Sequence, residues 1–498
     1  MHLRAKGDII TVETKTTLQE IDMHSCFEKI KKMISGKRCA VLGLGVSNLP
    51  LVKLLLTLTD ANLITVYDKK DISELGDEAE KLSGLGVSFV GGDDWAEKVE
   101  GDVIFRSPGI RPDLPSLARA EQNGALLTSE IEQLLELTAA QSFAITGSDG
   151  KTTSTTLTGK FLEAAAHRVF VGGNIGTPLL DKCGEMTEND ACVLELSSFQ
   201  LMRLSRAPMH AAITNISPNH LDWHRGEEEY FEAKKNIVGE NTRRLVINAD
   251  CAPTAEFGRE IAKSGKEVVF FSSSRNSYGE IVGGELESSK AVYRRNGVIY
   301  LSDGKSESPL LCESEIRLPG VHNIENYMTA MALTYGFAEP KDFLTVAREF
   351  TGVEHRLEPV RTLDGVDYIN GSIDSSPTRT IAALSALHGR DIVVICGGYD
   401  KNLDYAPLAP KLCECARVVV LTGATSDKIE NALRAYEGYS GSPEIIRAES
   451  FEDAVTLARA HARSGGCVLL SPASASFDRF KNFAERGRYF KKLVNELE

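Results

Sequence analysis

The chain has 498 residues, enough for two to four domains at roughly 100–200 residues each. Hydrophobic residues make up 42% and charged residues 25%, which excludes a largely disordered or a collagenous chain. Lys and Arg number 56 against 70 Asp and Glu, a net charge of −14. That balance argues against general nucleic-acid binding, although a local phosphate site needs only converging backbone N–H groups and one lysine.

No run of about 18 apolar residues suggests a membrane-spanning helix. Residues 1–20 lack the apolar centre of a secretory signal. The ten cysteines are scattered, with Cys413-Glu-Cys415 the closest pair and no zinc-binding CxxC spacing, so they are expected as reduced thiols of a cytoplasmic protein.

In chain order, residues 1–36 read as a polar N-terminal extension with a weak helical pattern at Ile21–Ile34. Arg38–Leu42 is predicted as a strand ending in Gly43-Leu-Gly45, followed by a helix over Leu49–Leu58 and strands at Leu63–Tyr67 and Val103–Phe105. A second strand–helix series starts at Ser142–Thr146 and continues through strands at Ala191–Leu194, Ala211–Thr214 and Leu245–Ile247. Alternating residues suggest further strands in 272–311, and Val321–Gly336 has helical period. A third series has strands at Tyr368–Ile369, Ile392–Ile395, Arg417–Leu421 and Cys467–Leu470, with helices at Ser376–Leu387 and Phe451–Ala462. The pattern is that of an α/β protein of three domains: Rossmann-like over 37–129, P-loop mononucleotide-binding over 130–352, and Rossmann-like over 353–498.

Thr146-Gly147-Ser148-Asp149-Gly150-Lys151-Thr152-Thr153 follows an apolar strand and precedes a Thr-rich helix. Glycines there let successive N–H groups face an anion at a helix N-terminus. Lys151 can reach β/γ-phosphates and the Thr152 hydroxyl can ligate Mg²⁺. The motif is a shortened P-loop, since position 145 is Ile rather than Gly. Glu195 lies just past a strand, where a carboxylate faces the ligand crevice of an open sheet; taken alone it is more often a surface or capping residue. His220, in Asn219-His220-Leu-Asp222, also follows a strand on the crevice side. Tyr230–Ile237 reads as an amphipathic helix on which Lys234 is, by default, a solvated surface lysine.

These segments together resemble the Mur ligases, ATP-dependent amide-bond ligases of peptidoglycan precursor synthesis, and most of all their D-glutamate-adding branch. The resemblance runs from Lys37 to Arg488. It rests also on Ser107-Pro-Gly109-Ile110, Gly172-Gly-Asn174-Ile-Gly176, His322-Asn323-Ile-Glu-Asn326, Glu354-His355-Arg356, Gly397-Gly-Tyr-Asp-Lys401 and Ser471-Pro-Ala-Ser-Ala-Ser476-Phe-Asp-Arg-Phe480. It implies a monomer that takes ATP, D-glutamate and UDP-N-acetylmuramoyl-L-alanine, with no nucleic-acid partner and no membrane insertion. Gly147 to Thr153, Asn323, Asn326 and Arg356 would bind ATP. Thr152, Glu195, His220 and a CO₂-carbamylated Lys234 would hold two Mg²⁺ ions, with Lys151, His220 and Lys234 as the catalytic set. Val46, Ser47, Asp68, Lys69, Gly109 and Asn174 would cradle the UDP-sugar, and Lys401, Ser476 and Phe480 would form the D-glutamate pocket.

The sequence departs from that pattern in three places. Asp149 stands where many relatives carry Asn, and Gly371 and Ile373 where many carry Asp and Lys; Asp374 offers a carboxylate three residues on. A dinucleotide fingerprint at Gly43-Leu-Gly45 is broken because position 48 is Asn. A folylpolyglutamate synthetase-like sibling would share the loop logic without the Gly43 domain. A non-catalytic nucleotide switch would need no amino-acid pocket.

Overall fold

The computed structural model describes residues 25–217, 223–283, 286, 289–318, 320–401 and 403–498. His220, with Asn219 and Asp222, lies outside them. The chain divides into two compact units, Met1–Glu349 and Phe350–Glu498.

The first unit carries two sheets among the described residues. Strands β1 (Cys39–Leu42), β2 (Ile64–Tyr67), β3 (Ser88–Val90), β4 (Val103–Arg106) and β5 (Leu126–Thr128) pair in parallel in the order β3-β2-β1-β4-β5. The order reverses between β1 and β4, so the loops after these two strands form the crevice of this sheet. Every residue of β1 and of β4 is buried, which explains why Cys39–Leu42 and Val103–Phe105 read as apolar runs rather than alternating ones.

The second sheet is built from β6 (Gln141–Thr146), β7 (Val169–Gly173), β8 (Ala191–Glu195), β9 (His210–Ile213), β10 (Arg244–Asn248), β11 (Glu267–Ser272), β12 (Lys290–Arg295), β13 (Val298–Ser302) and β14 (Glu307–Cys312). Its order is β14-β13-β12-β11-β10-β9-β6-β8-β7, with β7 to β12 parallel and β12-β13-β14 an antiparallel meander. Strand β6 sits between β8 and β9, so whatever follows these three strands converges at one point.

The first two sheets share one hydrophobic cluster, in which Val41, Leu51, Leu55 and Ile64 join Leu134, Leu180, Leu194 and Ile213. That continuity makes one unit of two sheets. The end of the expected N-terminal extension belongs to it as well: Ser25–Phe27 forms a 3-10 turn, Glu28–Ile34 a helix, and Phe27, Ile30 and Ile34 are buried in the same cluster.

The second unit has strands β15 (Glu358–Leu363), β16 (Val366–Asn370), β17 (Ile392–Cys396), β18 (Ala416–Leu421), β19 (Glu444–Arg447) and β20 (Cys467–Leu470), in the order β15-β16-β20-β17-β18-β19, all parallel except β15. Apolar clusters fill both faces. All ten cysteines are free thiols. Among the described residues no helix is long and apolar enough to cross a membrane.

Candidate active site

The end of β6 runs into the phosphate loop, and helix α1 (Lys151–Ala164) starts directly after it. Gly150 caps the helix in the left-handed region, φ +76°, and a side chain there would collide with Asn326 Oδ1. The loop is braced from β9: the Ser148 N–H donates to the Asn215 carbonyl at 2.9 Å and the Asp149 N–H to Asn215 Oδ1 at 2.9 Å. The Thr214 hydroxyl donates to the Asp149 carbonyl at 2.6 Å. Ser148 Oγ accepts the Ser217 N–H at 2.9 Å and lies 3.0 Å from the Tyr230 hydroxyl. Thr152 is buried and Thr153 half-buried in the first turn of α1.

Five of the expected residues meet at this loop: Lys151, Thr152, Asn174, Glu195 and Lys234. Lys151 Nζ donates to the carbonyls of Gly147 and Ser148 at 2.9 and 2.8 Å. Glu195 is the last residue of β8 rather than the first after it, and is only 2% exposed. One carboxylate oxygen accepts the Thr152 hydroxyl at 2.7 Å and the other accepts Asn174 Nδ2 at 2.7 Å. A buried carboxylate beside a helix-start hydroxyl is a set of hard oxygen donors suited to Mg²⁺.

Lys234 departs most from its default as a surface residue. Helix α2 (Glu227–Lys235) buries Tyr230, Ala233 and Lys234, and Lys234 is 1% exposed. Its Nζ donates to the Gly147 carbonyl at 2.9 Å and to Thr146 Oγ1 at 3.3 Å, and stands 4.5 Å from the centre of the Tyr230 ring. Burial, and then the positive charge of Lys151, push its pKa well below that of an ordinary lysine.

Asn323 and Asn326 sit in the first turns of helix α3 (Val321–Thr334). Asn326 accepts the Ser154 hydroxyl at 3.2 Å and donates to Asn323 Oδ1 at 3.3 Å, so both border the start of α1. The expected UDP-sugar residues gather at the β1/β4 crevice, with the exception of Asn174, which stands at Glu195. Val46 is 78% exposed and Lys69 is exposed, whereas Asp68 Oδ2 accepts the Leu44 N–H at 2.8 Å and so shapes the loop in front of Ser47. Asn48, which breaks the dinucleotide fingerprint, donates to the Leu42 and Gly43 carbonyls at 3.0 and 2.9 Å. Gly109 is exposed, and its carbonyl accepts the Trp223 indole N–H at 3.2 Å.

Arg356, Lys401, Ser476 and Phe480 belong to the second unit. Arg356 is exposed, as is Lys401, whose ammonium lies 5.2 Å from the Phe477 ring centre. Ser476 is buried, and its carbonyl accepts the N–H groups of Arg479 and Phe480. The Phe480 ring packs against Phe451 at 5.3 Å and Tyr489 at 5.7 Å, in the apolar layer on one face of the sheet.

The departure at 371 has a steric reason. A Cβ on Gly371 would meet Asp374 Oδ2 at 2.6 Å and the Leu470 carbonyl at 2.7 Å. Asp374 turns inward, where Oδ2 accepts the Ser471 hydroxyl at 2.8 Å, and burial raises its pKa to about 7. The folded state therefore binds this proton more tightly than the unfolded chain, so Asp374 makes stability fall as pH rises from about 4 to about 7. Asp374→Asn is expected to raise Tm relative to the wild type at pH 8, with the gap closing toward pH 4. A gap of equal size at both pH values would contradict the buried-carboxylate account.

Sequence reasoning passed over Arg106, Arg111, Trp223, His224 and Glu229, which link the β4 loop to α2. Arg111 and Glu229 are 118 positions apart, and no local pattern connects them.

The family model described as Mur ligase middle domain matches residues 145–334, and that described as Mur ligase, glutamate ligase domain matches 355–474. Curated relatives named UDP-N-acetylmuramoylalanine--D-glutamate ligase include that of Ruminiclostridium cellulolyticum, 44% identical over 96% of this chain and 100% of its own length. That of Acetivibrio thermocellus is 43% identical over the same shares. Among solved structures, the UDP-N-acetylmuramate-alanine ligase of Thermotoga maritima superposes with a TM-score of 0.50 at 18% identity, covering 92% of this chain and 99% of its own. MurF from Acinetobacter baumannii gives 0.50 at 16% identity, over 75% and 82%. At such identities these two share the fold.

Proposed function

The chain belongs to the Mur ligase family, and from that premise we propose that it joins D-glutamate to UDP-N-acetylmuramoyl-L-alanine, driven by ATP and releasing ADP and phosphate. The observation that carries this reading is the convergence of Lys151, Thr152, Glu195 and Lys234 at the ends of β6 and β8.

A carboxylate does not acylate an amine at neutral pH, because oxide is the leaving group. Transfer of the γ-phosphoryl group to the L-alanyl carboxylate gives an acyl phosphate and ADP. The neutral amine of D-glutamate then attacks the acyl carbon, and the tetrahedral intermediate expels phosphate. The N–H groups at the start of α1 and the Lys151 ammonium hold the nucleotide phosphates and offset their charge. Glu195 and Thr152 supply oxygen ligands for Mg²⁺, which when bound adds positive charge at the transferring phosphoryl group. Two ions fit the reading, with His220 as a further ligand.

An ammonium cannot ligate a cation, so the depressed pKa of Lys234 matters: its neutral amine adds to CO₂ and loses a proton, and the side chain becomes an anionic carbamate with two oxygens. The β1/β4 crevice takes the UDP-sugar, Arg356 is a nucleotide-binding residue, and Lys401, Ser476 and the backbone at Phe480 bind D-glutamate. The division into domains at 37–129, 130–352 and 353–498 follows these three tasks, and the enzyme acts as a cytoplasmic monomer. Phosphate release is the test, with ATP, UDP-N-acetylmuramoyl-L-alanine and D-glutamate each omitted in turn. Dependence on all three is expected; release from ATP alone would instead indicate a nucleotide switch or hydrolase.

A further inference from the structure

Two arginines fasten the loop after β4 to the segments that carry the catalytic groups. Arg106, 4% exposed, donates from Nη1 to the Ile110 carbonyl at 2.6 Å and from Nη2 to the carbonyls of Phe199 and Met202 at 3.2 and 3.1 Å. The loop is thereby fixed to the turn that follows Glu195. Arg111 grips both oxygens of Glu229, Nη2 to Oε1 at 2.8 Å and Nη1 to Oε2 at 3.1 Å, and also donates to the Trp223 carbonyl at 2.6 Å. Its remaining donors go to Asp113, both at 2.9 Å.

Glu229 lies in the first turn of α2, the helix that carries Lys234. Trp223 returns the contact through its indole N–H on Gly109, and its ring lies 4.9 Å from the Arg111 guanidinium. His224 Nδ1 lies 3.3 Å from Glu229 Oε2, and His224 Nε2 shares a hydrogen bond with Ser198 Oγ at 2.8 Å. Between Gly109 and Lys234 there is thus an unbroken path of hydrogen bonds and one helix.

We propose that Arg111 is a positioning residue: with Glu229 it registers the loop at Gly109, where the UDP-sugar binds, against the helix that presents Lys234, so that the acceptor carboxylate and the phosphoryl site share one fixed geometry. This rests on the function proposed above. A partly exposed ion pair contributes little to stability, whereas a misplacement of about 1 Å between reacting groups costs on the order of 100-fold in rate. The pairing is therefore expected to register in kinetics far more than in Tm.

The experiment compares Arg111→Ala, Glu229→Ala and the double variant, varying the UDP-substrate at saturating ATP and the reverse. Each single variant is expected to lose about 30-fold in kcat/KM for the UDP-substrate, the double to be no worse than the worse single, and the KM for ATP to stay within about twofold. Arg111→Lys recovers little, because an ammonium cannot reproduce the two-pronged grip. A KM for ATP that rises by as much as the kcat/KM for the UDP-substrate falls, or additive single effects, would overturn the proposal. If Arg111→Ala does not fold, Glu229→Gln serves for the same measurements. A wild type that turns over none of these substrates would defeat the functional reading itself; hydrogen exchange then decides the registration. Arg111→Ala should lose protection over both 107–113 and 227–235, and unchanged exchange over 227–235 would overturn it.

Discussion

Lys234→Ala is expected to lower turnover by about 1,000-fold while the protein stays folded. The lysine has no solvent to act on: its amine faces the Gly147 carbonyl, Thr146 Oγ1 and the Tyr230 ring. Keeping an ammonium there costs free energy, which is why burial drives its pKa down. Removing it opens a small cavity but relieves that desolvation, so Tm should move by only a few degrees. If the side chain works as a carbamate, acetate or formate at high concentration should restore part of the activity by placing a small carboxylate in the cavity. The wild type should also give a carbamate carbon signal by NMR with ¹³C-bicarbonate that the variant lacks. Wild-type turnover in Lys234→Ala would remove the lysine from the mechanism, and absence of the carbon signal would remove the carbamate.

The phosphate loop and the central strands were legible because their physics is local. Parallel strands covered on both faces read as apolar runs, and β6, β10 and β17 are such strands. A glycine turn between strand and helix, with Lys and Thr opening the helix, is likewise a short-range pattern. Lys234 was harder, since Glu227–Lys235 is mostly charged and ends in two lysines. Its neighbour Lys235 instead pairs with Glu232 at 2.6 Å near the surface. A signal was nevertheless present: Tyr230, Ala233 and Lys234 follow the i, i+3, i+4 spacing of an inward face. A related helical spacing, i, i+3, i+7, places Phe27, Ile30 and Ile34 in the core, although the segment around them reads as polar. Phe480, expected at a ligand, has its ring in the apolar layer beside Phe451. The Arg111–Glu229 pair joins the loop after β4 to helix α2 and could emerge only from the folded chain.

Glu195→Gln should have an effect of similar size and separates charge from shape. The amide keeps an oxygen that can accept from Asn174 and a second polar atom for the Thr152 hydroxyl, so the contacts at 2.7 Å have close substitutes. What disappears is one negative charge, buried to 2% exposure among Thr152, Asn174 and the Lys234 amine. A buried carboxylate is costly without a cation to balance it, so in metal-free buffer the variant should be at least as stable as the wild type. Its Mg²⁺ requirement should instead rise by more than about tenfold, and saturated turnover should fall by about 100-fold to 1,000-fold. Binding of Mn²⁺, followed by electron paramagnetic resonance, should weaken in parallel. An unchanged Mg²⁺ titration would mean that Glu195 holds Thr152 and Asn174 in place and nothing more, and the cation would have to be sought elsewhere around the loop.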